Sequence, residues 1–183
     1  MKHLLWIILA AVLLLANVVV AGWTEIADLR RAREWQVTQA GGAGAELRGV
    51  HVRVDQVWAG TAPNLPERAL VLVRLALRGP EAARHGWAGC DVGLRDAAGR
   101  QWLPLTSADA EGAVRVIAPD GENMGRCNPL PHDAPPEGQE ILSDQLFLVP
   151  AELLKGARLR VSALGTRPEA LEFPVRPVLR DLR

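Results

Sequence analysis

The sequence predicts an all-β protein, an antiparallel β-sandwich of seven or eight short strands behind one N-terminal hydrophobic helix. Three observations carry the prediction. An apolar run from Leu4 to Ala21, interrupted only by Asn17, follows Lys2 and His3. From residue 47 onward apolar residues recur at alternate positions, the period of a half-buried strand. Gly/Pro-rich turns separate these segments at short intervals, as in a sandwich.

The N-terminal run lies between two kinds of segment. A signal peptide has a 7–15-residue apolar core and a small-residue cleavage site, whereas a spanning helix needs ~20 apolar residues. Val19 and Ala21 supply a cleavage pair before Gly22. Trp6 and Trp23, however, bracket the run at ~26 Å, a spacing that suits an aromatic belt. The bracket favours retention as an anchor, and either outcome puts the remaining chain outside the cytoplasm. Arg30, Arg31 and Arg33 follow the run while Lys2 precedes it, so flanking charge alone would favour the opposite topology. The size of the domain behind the run and its cysteine usage outweigh that signal. Val20-Ala21-Gly22 resembles the approach to a bacterial lipidation cysteine, but Trp23 stands where the thiol would be.

Four segments follow: a signal or anchor over 1–22, a juxtamembrane helix and Gly/Ala-rich linker over 23–46, a β-sandwich over 47–178, and a tail over 179–183. Thr24 to Gln36 continues the helix or lies on the surface. Ala40-Gly41-Gly42-Ala43-Gly44-Ala45 reads as a flexible spacer, because a phosphate loop would need a preceding strand and a lysine.

In the sandwich, Val50, Val52 and Val54 alternate with His51, Arg53 and Asp55. Val71, Val73, Leu75 and Leu77 share one face opposite Arg74 and Arg78. Cys90, Val92 and Leu94 repeat the pattern, and Asp96-Ala97-Ala98-Gly99-Arg100 supplies a hairpin turn before Gln101-Trp102-Leu103. Further strands are expected over 113–117, 145–149, 158–163 and 170–175. Pro119 to Gly138, dense in Pro, Gly, Asn and Asp, is expected to be a long surface loop of the kind on which binding concentrates.

Composition excludes one class of partner. The chain has 21 basic and 21 acidic residues, so it lacks the excess charge that holds a phosphate backbone, and no nucleic acid is expected. Nineteen of the basic residues are Arg and Tyr is absent, a genome-wide bias more than a binding surface.

Cys90 and Cys127 are the two cysteines. In an exported chain an isolated pair is most simply a disulfide, here closing a loop worth roughly 4 kcal/mol of unfolded-state entropy. Metal binding competes, because His85, Cys90, Asp91, Cys127, His132 and Asp133 belong to the same two segments. Zinc sites usually carry paired close ligands, and these spacings are irregular. No metal, cofactor or catalytic residue is therefore assigned. Ser107, Ser143 and Ser162 lie in no Gly-x-Ser-x-Gly elbow, and no His-Glu-x-x-His helix is present. His51 points outward from a strand. Asp91, Asp96, Asp109 and Asp120 suit turn hydrogen bonding, and Trp58, Trp87 and Trp102 suit packing.

Two stretches carry a resemblance. Leu94-Arg95-Asp96-Ala97-Ala98-Gly99-Arg100-Gln101-Trp102 resembles a strand, Asp-x-x-Gly turn and aromatic strand. Pro136-Glu137-Gly138-Gln139-Glu140 leading to Leu146-Phe147-Leu148-Val149-Pro150 resembles a Pro-x-Gly to Phe-x-Val-Pro segment. Both are similar to telokin-like, immunoglobulin-like domains of bacterial exported proteins, over roughly residues 48–176. The resemblance implies an immunoglobulin-like sandwich serving as an accessory module, with no catalytic residues to carry over. The missing lipidation cysteine and the cysteine-closed loop depart from the pattern.

These readings converge on a non-enzymatic, membrane-tethered extracytoplasmic module that binds another envelope protein through the Cys127–Gly138 loop and a sheet edge. The alternative is a secreted protein released after Ala21, binding a metal or small ligand through His85, Asp91 and His132.

Overall fold

The computed structural model describes residues 2–31, 33–34, 36–62, 64–87, 89–106, 109–121, 127, 136 and 138–180. Helix α1 (Lys2–Arg31) holds the apolar run. Its Trp6–Trp23 stretch has a mean hydropathy of 2.4 with none of it buried. By length and composition it fits a membrane span, a test that a signal sequence also meets.

Among the described residues ten strands, not the seven or eight expected, form two sheets. Strands β1 (Gln36–Gln39), β2 (Ala45–Leu47), β3 (Val50–Ala62) and β4 (Leu65–Arg78) come first. Then follow β5 (Asp91–Arg95), β6 (Gln101–Trp102), β7 (Ile141–Pro150), β8 (Arg158–Ser162), β9 (Glu169–Pro174) and β10 (Val178–Leu179). One sheet has the order β1-β9-β8-β5-β6 and the other β10-β3-β4-β7, with β2 added to β3. The pairing is not wholly antiparallel as expected, because β1 runs parallel to β9 and β10 parallel to β3. These two strands attach the ends of the described sandwich to opposite sheets. Leu179, placed by sequence in a tail, is in strand β10, and the Arg180 amide donates to the Ala59 carbonyl at 2.7 Å.

The core lies where period two predicts it. Val50, Val52, Val71, Val73, Leu75, Leu77, Phe147 and Val149 from one sheet meet Val92, Leu94, Leu159, Val161, Leu171 and Phe173 from the other. All are buried, the burial that drives such layers together. Trp87 is buried beside them, and its indole nitrogen donates to the Leu47 carbonyl at 3.1 Å. The predicted Asp96 turn forms: the Gly99 amide donates to the Asp96 carbonyl at 3.1 Å and the Arg100 amide to Asp96 Oδ1 at 2.8 Å. Gly99 has a φ of 82°, which a side chain would disfavour.

The structure corrects two expected elements. Residues 113–117 are the end of helix α3 (Asp109–Ile117), not a strand. Ala110, Val114 and Ile117, spaced four and three apart, lie on one helical stripe and pack on Trp58, Leu72 and Leu146 as a second core on the far side of β3-β4-β7. The glycine-rich stretch expected as a spacer is a turn. Gly41 and Gly44 bridge each other, with β1 on one side and β2 on the other. Also unexpected are a short helix α2 (Glu81–His85) and a 3₁₀ turn at Ala151–Lys155.

Candidate functional site

The residues singled out by sequence are scattered. Cys90 and Cys127 form a disulfide with Cα atoms 5.4 Å apart, and both are buried. His85 lies on α2 with its side chain 68% exposed, 3.5 Å from Glu81. The Asp91 carboxylate faces Arg167 Nη2 at 3.2 Å. His132 and Asp133 fall outside the described residues, as do Ser107 and most of the 128–137 loop. Among the described residues no three His, Cys, Asp or Glu side chains are arranged to hold a metal ion. Ser143 is buried and accepts from the Gln145 amide at 2.9 Å. Trp58 and Trp87 are core residues, while Trp102 is half-buried beneath the Arg100 guanidinium, 5.5 Å from its ring.

Two clusters of charge are built that alternation could not reveal. The first centres on Arg74, expected on an outward face. Helix α3 covers that face, so Arg74 is 6% exposed. Its Nε and Nη2 donate to the two oxygens of Asp144 at 2.7 and 2.8 Å. Nη1 reaches Asp120 at 2.8 Å, and the guanidinium stands 5.3 Å from the Trp58 ring. The hydrogen bonds that Arg74 donates to Asp144 raise the Arg74 pKa despite burial, and Arg74 in turn holds the Asp120 carboxyl below its ordinary range. A fork-to-fork pair this dry fixes geometry more than it adds stability.

The second cluster covers the outer face of the five-stranded sheet. Strand register puts Arg95 opposite Arg158, Gly93 opposite Arg160, Asp91 opposite Ser162, and Arg160 opposite Glu172. Glu172 receives Gln39 at 2.9 Å, Arg158 at 3.1 Å and Arg160 at 2.7 Å. Burial alone would push its carboxyl up, but these three donors together outweigh it and hold the pKa low. Gly93 leaves room for Gln101, whose amide would meet a Cβ there at 2.5 Å. Gln101 in turn accepts from Arg95 at 2.7 Å. Glu34, which precedes β1 and lies outside any strand, completes the cluster. Its carboxylate accepts from the Ser162 hydroxyl and lies 3.3 Å from Arg95 Nη2 and 4.0 Å from Arg160 Nη1. Burial, then the neighbouring Arg160 charge, lowers the Arg95 pKa.

Chemically this second cluster is an ordered mesh of guanidinium and carboxylate groups. Ser162 sits against a carboxylate, yet it is wholly buried, so no substrate reaches its oxygen. Guanidinium forks matched to carboxylates bind and position. A separate hollow of about 290 Å³ lies between the Asp96 turn and the 3₁₀ turn, lined by Asp96, Arg100, Trp102, Pro150, Glu152 and Leu153. The Arg100 and Asp96 side chains at its edge are already paired at 2.6 Å.

No protein-family model and no curated protein matches the sequence. Three solved bacterial structures are similar in shape. A putative lipoprotein from Staphylococcus aureus is 6% identical, with a TM-score of 0.47 over 79% of this chain and 97% of that one. An uncharacterised β-sandwich protein from Clostridium difficile is 5% identical, with a TM-score of 0.42 over 79% of this chain and 99% of its own. A conserved hypothetical protein from Bacillus anthracis is 11% identical, with a TM-score of 0.40 over 68% and 89%. At such scores the likeness lends no argument about function. The class defined by the chain's own coordinates is a two-sheet β-sandwich preceded by an apolar helix.

Proposed function

We propose that this protein is a non-enzymatic binding or scaffolding module of a bacterial cell envelope. It is tethered to the membrane by α1 and holds a telokin-like, immunoglobulin-type sandwich on the extracytoplasmic side. The observation that carries the reading is the apolar Trp6–Trp23 stretch, which the sandwich leaves wholly uncovered. An uncovered stretch of that size needs a lipid environment or removal, since water is a poor solvent for it. A disulfide joining Cys90 to Cys127 suits an oxidising compartment. The charged clusters pair internally and offer no exposed nucleophile beside a base, which favours binding over catalysis.

The contact surface proposed is a sheet edge with the adjoining Cys127–Gly138 loop. Strand β7 pairs on one side with β4, while on the other the Leu105 amide reaches the Leu146 carbonyl at 2.7 Å. Such an edge can accept a partner's strand. Alkaline-carbonate extraction of membranes from cells making the full chain tests the tether, read together with N-terminal sequencing and protease access from outside the cell. An intact N-terminus in the carbonate-resistant pellet, with the sandwich cut from outside, supports the proposal. A carbonate-soluble chain beginning at Gly22 overturns it.

A further inference from the structure

We propose that Arg95, Arg160 and Ser162 form a carboxylate-binding site on the outer face of the five-stranded sheet, and that its occupant is Glu34 of the chain's own link between α1 and β1. The site is a product of strand register. Residues 95, 160 and 162 project from the same side of β5 and β8, where Gly93 lets the Gln101 side chain lie against the sheet opposite Arg160. Ser162 is wholly buried and spends its hydroxyl proton on Glu34 Oε1. Arg95 Nη2 and Arg160 Nη1 face Oε2 at 3.3 and 4.0 Å.

Charge explains why the face needs this occupant. Arg95, Arg158 and Arg160 stand together, and strand β9 supplies only Glu172 against them, which Arg158 and Arg160 already engage. Arg95 and Arg160 each keep a buried Nε with no hydrogen-bond partner among the described residues. Desolvated cations crowded in this way repel each other unless a further anion enters. Glu34 is that anion, and its side chain is only 14% exposed although it belongs to a connecting segment. A connecting residue ordinarily keeps a carboxylate in water. As β1 begins, the Gln36 amide donates to the Pro168 carbonyl at 3.1 Å. Glu34 therefore fastens the link to the sheet ahead of the first strand. The inference does not depend on the function proposed above, because a chain cut after Ala21 keeps Glu34 and the whole site.

The test uses the full chain in detergent micelles. Trypsin cleavage after Arg33 requires the link to leave the sheet, so its rate, divided by that of the matching free peptide because residue 34 directly follows the cut bond, reports how often residue 34 is released. Glu34→Ala should raise that rate at least tenfold and Glu34→Gln less, with cleavage inside the sandwich unchanged. Acetate, titrated against chloride at equal ionic strength, should shift the Arg95 Nε resonance saturably in Glu34→Ala and not in the unaltered protein. Equal cleavage rates in the unaltered protein and both variants would overturn the proposal. So would acetate shifts of equal size with Glu34 present and absent, which would mark general anion screening. If Glu34→Ala does not fold, Ser162→Ala replaces it, with at least threefold faster cleavage expected and no change counting against the site.

Discussion

Arg74 and Arg160 project from the outer faces of opposite sheets and are neutralised in opposite ways. Over β3-β4-β7 the chain lays α3, so part of the face becomes a second apolar core and Arg74 is sealed there with Asp144 and Trp58. Over β9-β8-β5 no helix is laid among the described residues. Arginines and glutamates there cover the sheet with one another, and Glu34 of the link is drawn in as a lid. A sheet face can thus be shielded by apolar packing, which is insensitive to salt, or by a charged mesh whose exposed members are screened.

The sharpest way to break this comparison is to remove Arg74. Arg74→Ala removes the two-pronged partner of the buried Asp144 carboxylate and should cost about 3–5 kcal/mol in urea unfolding. Replacing both partners, Arg74→Met with Asp144→Leu, should recover most of the loss, since well-packed apolar pairs match buried ion pairs in stability. A cost for Arg74→Ala as small as that for an exposed arginine would mean that α3 does not seal the layer.

Next in size is the disulfide, which joins the chain beyond α3 to the start of β5. Cys90→Ala with Cys127→Ala should lower stability by about 2–4 kcal/mol, read as a lower Tm, because the unfolded chain regains the freedom of the closed loop.

Each face has a carboxyl held below its ordinary range, Asp120 beside Arg74 and Glu172 in the mesh. Glu172 has a folded pKa below its unfolded value. Its contribution is therefore present above the ordinary carboxylate range and disappears as pH falls towards the depressed folded value. Denaturant midpoints measured from pH 7 down to pH 3 should fall at the acid end, and Glu172→Gln should flatten that fall. The smallest effects belong to exposed pairs. Glu81→Ala, which removes the partner of His85, should change stability by less than about 0.5 kcal/mol. Arg158→Ala, with its side chain 52% exposed, should cost under about 1 kcal/mol and less again in 1 M salt.

The sequence made legible what depends on neighbours along the chain. Period two located the inner halves of β3, β4, β5, β7, β8 and β9, because one buried face leaves a mark at every second residue. The Asp96 to Arg100 turn was legible because its hydrogen bonds are local. What depends on distant partners was hidden. Val114 and Val116 alternate like a strand over five residues, too short a window to show the helical stripe that begins at Ala110. Strand β1 offers one apolar residue, Val37, and is a strand because β9 pairs with it. Arg74 reads as an outward residue until α3 is laid over it. Glu34 carries no pattern at all, and its role exists only where β5 and β8 bring Arg95, Arg160 and Ser162 together.

Residues 24–35 separate the Trp6–Trp23 stretch from the start of β1, with 24–31 continuing α1, a reach of at most ~26 Å. For a helix kept in a bilayer, that shortness sets the chemistry of encounter. A partner embedded in the same membrane would be met in a thin layer, at effective concentrations of roughly millimolar, so even weak contacts could hold. A partner fixed to a more distant layer of the envelope would see an effective concentration near zero. The length of that connection would then select the neighbours of this sandwich before any side chain does.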